Sequence, residues 1–330
     1  MRQTATNSSL AMSISNGSTE KRTKAGDACR PPLNIYYKNN ITMKKFILAL
    51  SAALMLAACG EHEMTGELTV GMTPADSMSK KTITFDFGEI SQQAMTRATL
   101  AELNLTDLWI FDYIGDELKQ TIHQASTDAA FGSASLSLDY GEHTFYFVAS
   151  RSIDPVIDTD AKTIVWSSVR DTFHASLTMD VQPSSATSQA VTLSRCVGRL
   201  RITATDVVPA NAAKLTITPS TWYYGLNYQT GEAVAPNSTP IVVNIPSSYV
   251  GTQNLVTSCY TVSGSSAWQT NITVNLIASD ESSLGSVTIP DVPIKRNHIT
   301  SYSGGIVGAG RSISVNASDD EWVDDGNVNW

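Results

Sequence analysis

The chain has 330 residues, of which 42% are hydrophobic and 16% are charged. This composition excludes a largely disordered protein and provides enough apolar side chains for about two domains. The formal net charge is −9, which disfavours nucleic acid as a partner because the phosphate backbone binds basic surfaces.

Residues 43–58 are predicted to form a lipoprotein signal peptide. Lys44 and Lys45 precede an apolar run, 46–56, and small residues lead from it to Cys59. The run is too short for a mature membrane-spanning helix, whereas a basic start, an apolar centre and a small-residue end are the parts of an export signal. A buried core helix is disfavoured because the run is apolar all round. We therefore expect cleavage before Cys59 and lipidation of its thiol.

The segment 1–42 is polar and shows no periodic pattern. An export signal functions at an N-terminus, so Met43 is the expected initiator and 1–42 a non-native extension, with a disordered leader as the alternative. Residues 1–58 contain eight of the 22 Lys and Arg and two of the 31 Asp and Glu, which leaves 14 against 29, a charge of −15. No basic cluster remains to bind anionic lipid, so the acyl chains on Cys59 are the expected link to the outer membrane.

A flexible tether is predicted for residues 59–81, which are rich in Gly, Glu, Thr, Met and Ser. Beyond it the apolar period is two, because Ile83, Phe85 and Phe87 alternate with polar residues. Such alternation predicts a half-buried strand. Two later runs, at 108–113 and 144–149, are apolar at consecutive positions, which is typical of central strands covered on both faces.

Strand-like segments separated by turn-rich pieces continue to residue 315. Their spacing predicts an all-β chain of two tandem Greek-key β-sandwiches of the transthyretin or immunoglobulin type. The Pro-, Ser-, Ala- and Thr-containing stretch 182–189 divides them, giving an N-terminal sandwich at 82–188 and a C-terminal sandwich at 189–330. Weak helical signals occur only at 99–103 and 167–175, which disfavours an α/β enzyme.

No pattern in the sequence indicates catalysis, a metal or a cofactor. The chain lacks a phosphate-binding glycine loop, a nucleophile elbow and a zinc-protease motif. Five histidines occur without metal-ligand spacing, namely His62, His123, His143, His174 and His298. The acidic stretch 319–325 lacks the alternation of a calcium loop and is interpreted as a solvated turn. The sequence therefore predicts a non-enzymatic protein.

Of the four cysteines, Cys29 lies in the predicted leader and Cys59 is the predicted lipidation site, which leaves Cys196 and Cys259. An exported compartment permits a disulfide between them, and their apolar neighbours equally suit two buried thiols. Both alternatives remain open.

An aromatic cluster lies at Trp222, Tyr223, Tyr224 and Tyr228. Such a cluster can stack on sugars if it is exposed, or fill a sandwich core or a domain seam if it is buried. The buried arrangement is favoured.

Four segments together resemble one known family. Residues 108–115 contain the pattern apolar-F-D-x-x-G of a strand and turn, and 141–150 resemble the strand that follows it in the family. Residues 193–200 match L-x-R-x-V-x-R-L, and 293–300 match P-x-K-R-N-H-x-T. These segments resemble the fimbrillin superfamily of type V pili. The resemblance implies a cell-surface fimbrial subunit, anchor or tip, with other pilus subunits as partners.

The resemblance also implies assembly by strand exchange, in which a subunit lacking one core strand accepts an extended segment of a neighbour. A trypsin-like site at Arg97 and Ala98 follows the alternating strand 83–87. Cleavage there would release both lipid and strand, and the groove would accept the segment 313–330 of another copy.

Two alternatives to a polymerising subunit remain. One is an anchor or tip adhesin that retains its strand, with host or microbial surface ligands. The other is a glycan-binding surface lipoprotein of a nutrient-uptake system, which requires an exposed aromatic cluster.

Overall fold

The computed structural model describes residues 80–92, 95–307, 313–314 and 320–321. The predicted leader, signal peptide, Cys59 and the tether up to residue 79 lie outside the described residues. The described part consists of β-strands, turns and one short 3-10 helix, Ser247–Tyr249. The predicted all-β class is therefore confirmed.

Ten strands precede Cys196: β1 (Lys80–Gln92), β2 (Met95–Ala98), β3 (Asp107–Ile114), β4 (Glu117–Ala125), β5 (Ser133–Asp139), β6 (Gly141–Ser150), β7 (Val156–Asp158), β8 (Thr163–Val165), β9 (Thr172–Val181) and β10 (Ser188–Arg195). Eleven described strands follow it: β11 (Val197–Ala204), β12 (Ala212–Pro219), β13 (Trp222–Asn227), β14 (Glu232–Asn237), β15 (Ile241–Asn244), β16 (Leu255–Val262), β17 (Trp268–Ala278), β18 (Ser283–Ile294), β19 (His298–Gly304), β20 (Ile313–Ser314) and β21 (Asp320–Glu321).

The N-terminal strands form one large sheet in the order β2-β1-β10-β9-β6-β3-β4, and β5 also pairs with β1. The turn between β3 and β4 has two residues, and its first residue, Gly115, has a φ of 59°. Tight hairpins need a positive φ at this position, which glycine adopts without strain. The predicted strand at 83–87 is the middle of β1.

The central strands β3 and β6 are buried on both faces, as the consecutive apolar runs predict. One face, with Leu108, Ile110 and Phe147, belongs to a core shared with β1, β5 and β10. The other face, which includes Phe111 and Val148, packs in a second cluster with residues of β8, β11, β13 and β16. Side chains on a strand alternate between faces, so an unbroken apolar run is explained by two separate cores.

The C-terminal sandwich consists of two sheets, β16-β11-β19-β20, with β21 also paired to β19, and β15-β12-β17-β18. Their inner faces form a third apolar cluster that includes Leu200, Ile217, Trp222 and Val274.

A further four-stranded sheet, β14-β13-β8-β7, combines strands from both sides of the predicted boundary at 182–189. The strand β10 starts at Ser188 and pairs with β1 and β9, whereas β11 begins the next sheet. The division into 82–188 and 189–330 remains a prediction, since the sheet that contains β8 and β13 belongs to both parts.

The weak helical signals have different outcomes. Residues 99–103 form a turn in which the N–H of Leu103 donates to the carbonyl of Thr99 at 3.3 Å. The weak helical signal at 167–175 does not correspond to a helical turn, because Ser168 forms a β-bridge with Ile153 and the strand β9 begins at Thr172. Pairing with a distant segment overrides the local propensity there.

Candidate functional site

The strand β1 supplies four side chains to the N-terminal core. Ile83, Phe85, Phe87 and Ile90 are each at most 2% exposed. The ring of Phe85 lies 4.8 Å from that of Phe145, which belongs to β6. Burying an apolar side chain of this size contributes roughly 1.5–3 kcal/mol, so β1 is a core strand despite its position near the predicted tether.

Two strands flank β1 along the same residues. Thr84, Phe85 and Asp86 pair in parallel with β10 and antiparallel with β5. We call the gap that β1 fills between β5 and β10 the strand slot. If β1 were absent, β5 and β10 would both present unpaired backbone groups to it, which is the arrangement that accepts an added strand.

Polar contacts fix the register of β1 in the strand slot. The Asp86 carboxylate accepts hydrogen bonds from the hydroxyls of Ser133, at 2.8 Å, and Ser188, at 3.2 Å. The hydroxyls of Thr84 and Ser135 lie 2.7 Å apart. Asp86 thus connects both flanking strands, because Ser133 belongs to β5 and Ser188 to β10.

The proposed cleavage site, Arg97 and Ala98, lies in β2. This strand folds back on β1, with Ala98 opposite Ile90 and Met95 opposite Gln92. Cleavage between Arg97 and Ala98 would therefore separate β1 and nearly all of β2 from the rest of the chain.

A capping box begins immediately after this site. The Glu102 carboxylate accepts hydrogen bonds from the N–H and hydroxyl of Thr99, at 2.8 and 3.1 Å, and the Thr99 hydroxyl accepts one from the N–H of Glu102, at 3.2 Å. These hydrogen bonds lower the pKa of Glu102. The polar contacts of this turn are thus made within the turn itself, whereas its Leu100 and Leu103 side chains belong to the core that includes β1.

The segment predicted as the donor, 313–330, is described only at β20 and β21. Both short strands pair antiparallel with β19 of the same chain. Its other residues lie outside the described residues.

Two of the four segments that resemble the fimbrillin superfamily, 193–200 and 293–300, meet at a buried ion pair. Arg195 donates through Nε to Asp171 Oδ1 at 2.6 Å and through Nη2 to Asp171 Oδ2 at 2.9 Å. Its Nη1 donates to the Asn297 side-chain oxygen at 2.9 Å. Arg195 belongs to the segment 193–200 and Asn297 to the segment 293–300, whereas Asp171 had no sequence signal of its own. These motif residues therefore have a structural role.

Asp112, the aspartate of the apolar-F-D-x-x-G segment, also has a structural role. Its Oδ1 lies 2.6 Å from Nδ1 of His143, while Nε2 of the same ring lies 3.0 Å from the carbonyl oxygen of Asp139. Each ring nitrogen of His143 therefore lies beside an oxygen acceptor, and these two contacts fix the orientation of the ring. Among the described residues, no group of three or more His, Cys, Asp or Glu is arranged to hold a metal ion.

The aromatic cluster is largely internal. Trp222 and Tyr228 are at most 1% exposed, whereas Tyr223 and Tyr224 are partly exposed. The Tyr228 ring stacks on the Phe111 ring, with 4.1 Å between the ring centroids. The pKa of Tyr228 is raised mainly by burial and, to a smaller extent, by the hydrogen bond to Tyr113. The favoured buried arrangement is confirmed for Trp222 and Tyr228, and an exposed patch spanning 222–228 is wrong.

The two cysteines are free, buried thiols. Cys259 pairs with Leu200, which is four residues from Cys196 along the chain. That offset corresponds to roughly 13 Å along a strand, beyond the Cα separation that a disulfide spans. The disulfide alternative is therefore wrong for this structure.

Burial raises the pKa of the Cys196 and Cys259 thiols to about 12. Unfolded thiols lose their protons near pH 8.5, whereas the buried thiols of the folded state keep theirs to higher pH. Above about pH 8.5 the folded state therefore binds more protons than the unfolded state, and the free energy of unfolding falls as pH rises. We expect a loss of about 1.4 kcal/mol per pH unit for each thiol between pH 9 and 12. Urea unfolding at several pH values measures it, and the Cys196→Ala, Cys259→Ala double variant should show a smaller slope. Equal slopes for both proteins would show that the Cys196 and Cys259 thiols do not cause the pH dependence of stability.

No helix among the described residues is long and apolar enough to cross a membrane.

Comparisons with known proteins give one family and several solved structures. A model described as "Family of unknown function (DUF6562)" matches residues 137–329. No curated protein matches the sequence.

The matching solved structures include fimbrial and adhesin-like proteins. An adhesin candidate from Bacteroides ovatus is 13% identical, with a TM-score of 0.48, over 74% of this chain and 96% of that one. The fimbrial anchor protein Mfa2 from Porphyromonas gingivalis is 9% identical, with a TM-score of 0.44, over 73% and 98%. A fimbrial assembly protein from Parabacteroides distasonis is 11% identical, with a TM-score of 0.38, over 71% and 94%. These values are too low to transfer a role to this chain.

Proposed function

This chain belongs to the family of unknown function DUF6562, and we propose that it is a lipid-anchored surface protein that serves as a structural subunit of a fimbria. The subunit would be assembled by proteolytic release of β1 and donor-strand exchange. The observation that supports this most strongly is β1 itself, a strand whose apolar side chains are buried in the core and whose covalent link to the rest of the chain one peptide-bond cleavage would cut.

The first step is hydrolysis of the peptide bond between Arg97 and Ala98 by a trypsin-like protease. The lipid on Cys59 and β1 lie on the same side of this bond, so one cleavage cuts their covalent link to the subunit. Dissociation of β1 then frees the subunit from the outer membrane and opens the strand slot. The remaining chain begins next to the capping box at Thr99 and Glu102, which holds the new N-terminus in place.

The second step is occupation of the strand slot by an extended segment of another copy. Phe145 and Phe147 contact β1 through their rings and would be uncovered when it leaves. Exposed aromatic rings beside two open strand edges favour the addition of an apolar strand. The proposed donor, 313–330, starts with Ile313 and Val315 at alternate positions.

A second candidate function is an anchor or tip subunit that keeps β1. It is favoured by the pairing of β2 with β1, because a protease needs an extended substrate and β2 must first detach. Other pilus subunits are the partners in both cases.

The two candidates are distinguished by the N-terminus of the protein isolated from the surface of its own host. A polymerising subunit is expected to begin at Ala98 and to carry no lipid. A form that begins at lipidated Cys59 would exclude assembly by cleavage and support the anchor or tip.

A control variant, Arg97→Gln, removes the protease site without altering β1. Its native form should retain the lipid and stay out of fibres if cleavage is required.

A further inference from the structure

A cleft of about 650 Å³ opens beside β15 and β16 of the C-terminal sandwich. Each of these strands ends its sheet, so the cleft lies where the two sheets are open to the side. Val165 at the end of β8 and residues 166–170 of the connection to β9 provide another wall. The volume is within the range of small-molecule binding sites.

The lining of this cleft is aromatic and hydroxyl-rich. Its aromatic residues are Trp166, Trp222 and Tyr260, which are buried, and Tyr224, which is partly exposed. Neutral polar side chains also line it, among them those of Asn237, Thr239 and Ser258. Aromatic rings contact the apolar faces of sugar rings, while hydroxyl and amide groups form hydrogen bonds with sugar hydroxyls. The combination suits a polyhydroxylated ligand.

Arg170 is the one charged residue in the described lining. It is partly buried, and its guanidinium forms no ion pair with a described residue. Its backbone is held in place, because its N–H donates to the Ser152 hydroxyl at 2.8 Å and its carbonyl accepts from the Thr172 hydroxyl at 3.1 Å. Arginine remains protonated in proteins and binds carboxylates through two parallel hydrogen bonds. The lining provides a positive charge and no acidic side chain to neutralise it.

The rim of the cleft contains a strained residue. Ala235 has a φ of 55° and precedes Pro236, and both residues line the cleft. Non-glycine residues adopt this conformation only at a cost, and such residues cluster at ligand sites.

We propose that this cleft, the Arg170 cleft, binds an acidic saccharide. The carboxylate of a sugar acid pairs with Arg170, and the sugar ring lies against Tyr224, the partly exposed aromatic residue of the lining. The site is distinct from the strand slot and is present whether or not β1 is released.

The test uses the full chain and follows tryptophan fluorescence, because Trp166 and Trp222 line the cleft. The acidic probes are a glucuronate-containing disaccharide and sialyllactose, and the neutral references are cellobiose and lactose. We expect saturable binding of at least one acidic probe, at least tenfold tighter than its neutral reference.

The variant Arg170→Gln should lower the affinity for the acidic probe to that of the neutral reference. The control Lys119→Gln removes one positive charge from an exposed position on β4 and should leave the affinity unchanged. Both variants should keep the unfolding midpoint of the native chain.

Three results would overturn the proposal: no binding of either acidic probe at millimolar concentration, equal binding of acidic and neutral probes, or unchanged affinity in Arg170→Gln. Binding of peptides with a free C-terminal carboxylate, but of no saccharide, would assign the cleft to a peptide and would also overturn it.

Discussion

Replacing Asp171 by asparagine is expected to lower the free energy of unfolding by about 3–5 kcal/mol. Asp171 and Arg195 are each 1% exposed and form two hydrogen bonds. The amide has nearly the shape of the carboxylate but no charge, so the guanidinium of Arg195 would stay buried without a counter-charge. Urea denaturation followed by circular dichroism measures the loss.

An exposed ion pair provides the matched control. Lys214 and Glu281 approach within 2.6 Å, but the Glu281 side chain is 72% exposed. Solvent screens such a pair, so Glu281→Gln should cost less than about 1 kcal/mol. A similarly small cost for Asp171→Asn would show that the buried pair does not stabilise the junction of the two motifs.

The second large effect concerns the strand slot. The protein cleaved after Arg97, freed of β1 by unfolding and refolded, is expected to bind a synthetic peptide of residues 80–92. The Phe85→Ala peptide should bind about two to three and a half orders of magnitude more weakly, since loss of a buried phenylalanine costs about 3–5 kcal/mol and each 1.4 kcal/mol is a factor of ten. Fluorescence anisotropy of labelled peptides measures both affinities.

The control peptide carries Thr82→Ala. Thr82 belongs to β1 but is exposed, so its replacement should change the affinity less than tenfold. If the Phe85→Ala and Thr82→Ala peptides bind equally well, the peptide does not occupy the strand slot.

Much of the strand content could be predicted from the sequence because apolar periodicity reports burial directly. Alternation at 83–87 identified β1, and the consecutive apolar runs identified β3 and β6. The pairing of β8 with β13 could not be predicted, since these short strands lie far apart in the chain and neither has a distinctive pattern.

The candidate sites were less predictable for related reasons. Arg97 was visible as a protease motif, but its position in a strand paired to β1 follows from tertiary contacts alone. Asp171 is a single acidic residue between unremarkable neighbours, and only the fold brings it to Arg195. The Arg170 cleft combines segments near residues 168, 224, 240 and 258, each of which is ordinary in isolation.

The mass of the cleaved protein in solution tests strand exchange most directly. After limited trypsin treatment and removal of β1, light scattering should reveal multimers that do not form when the peptide 80–92 is present, while uncleaved Arg97→Gln protein stays monomeric. A cleaved, folded protein that remains monomeric without the peptide would contradict assembly through the strand slot.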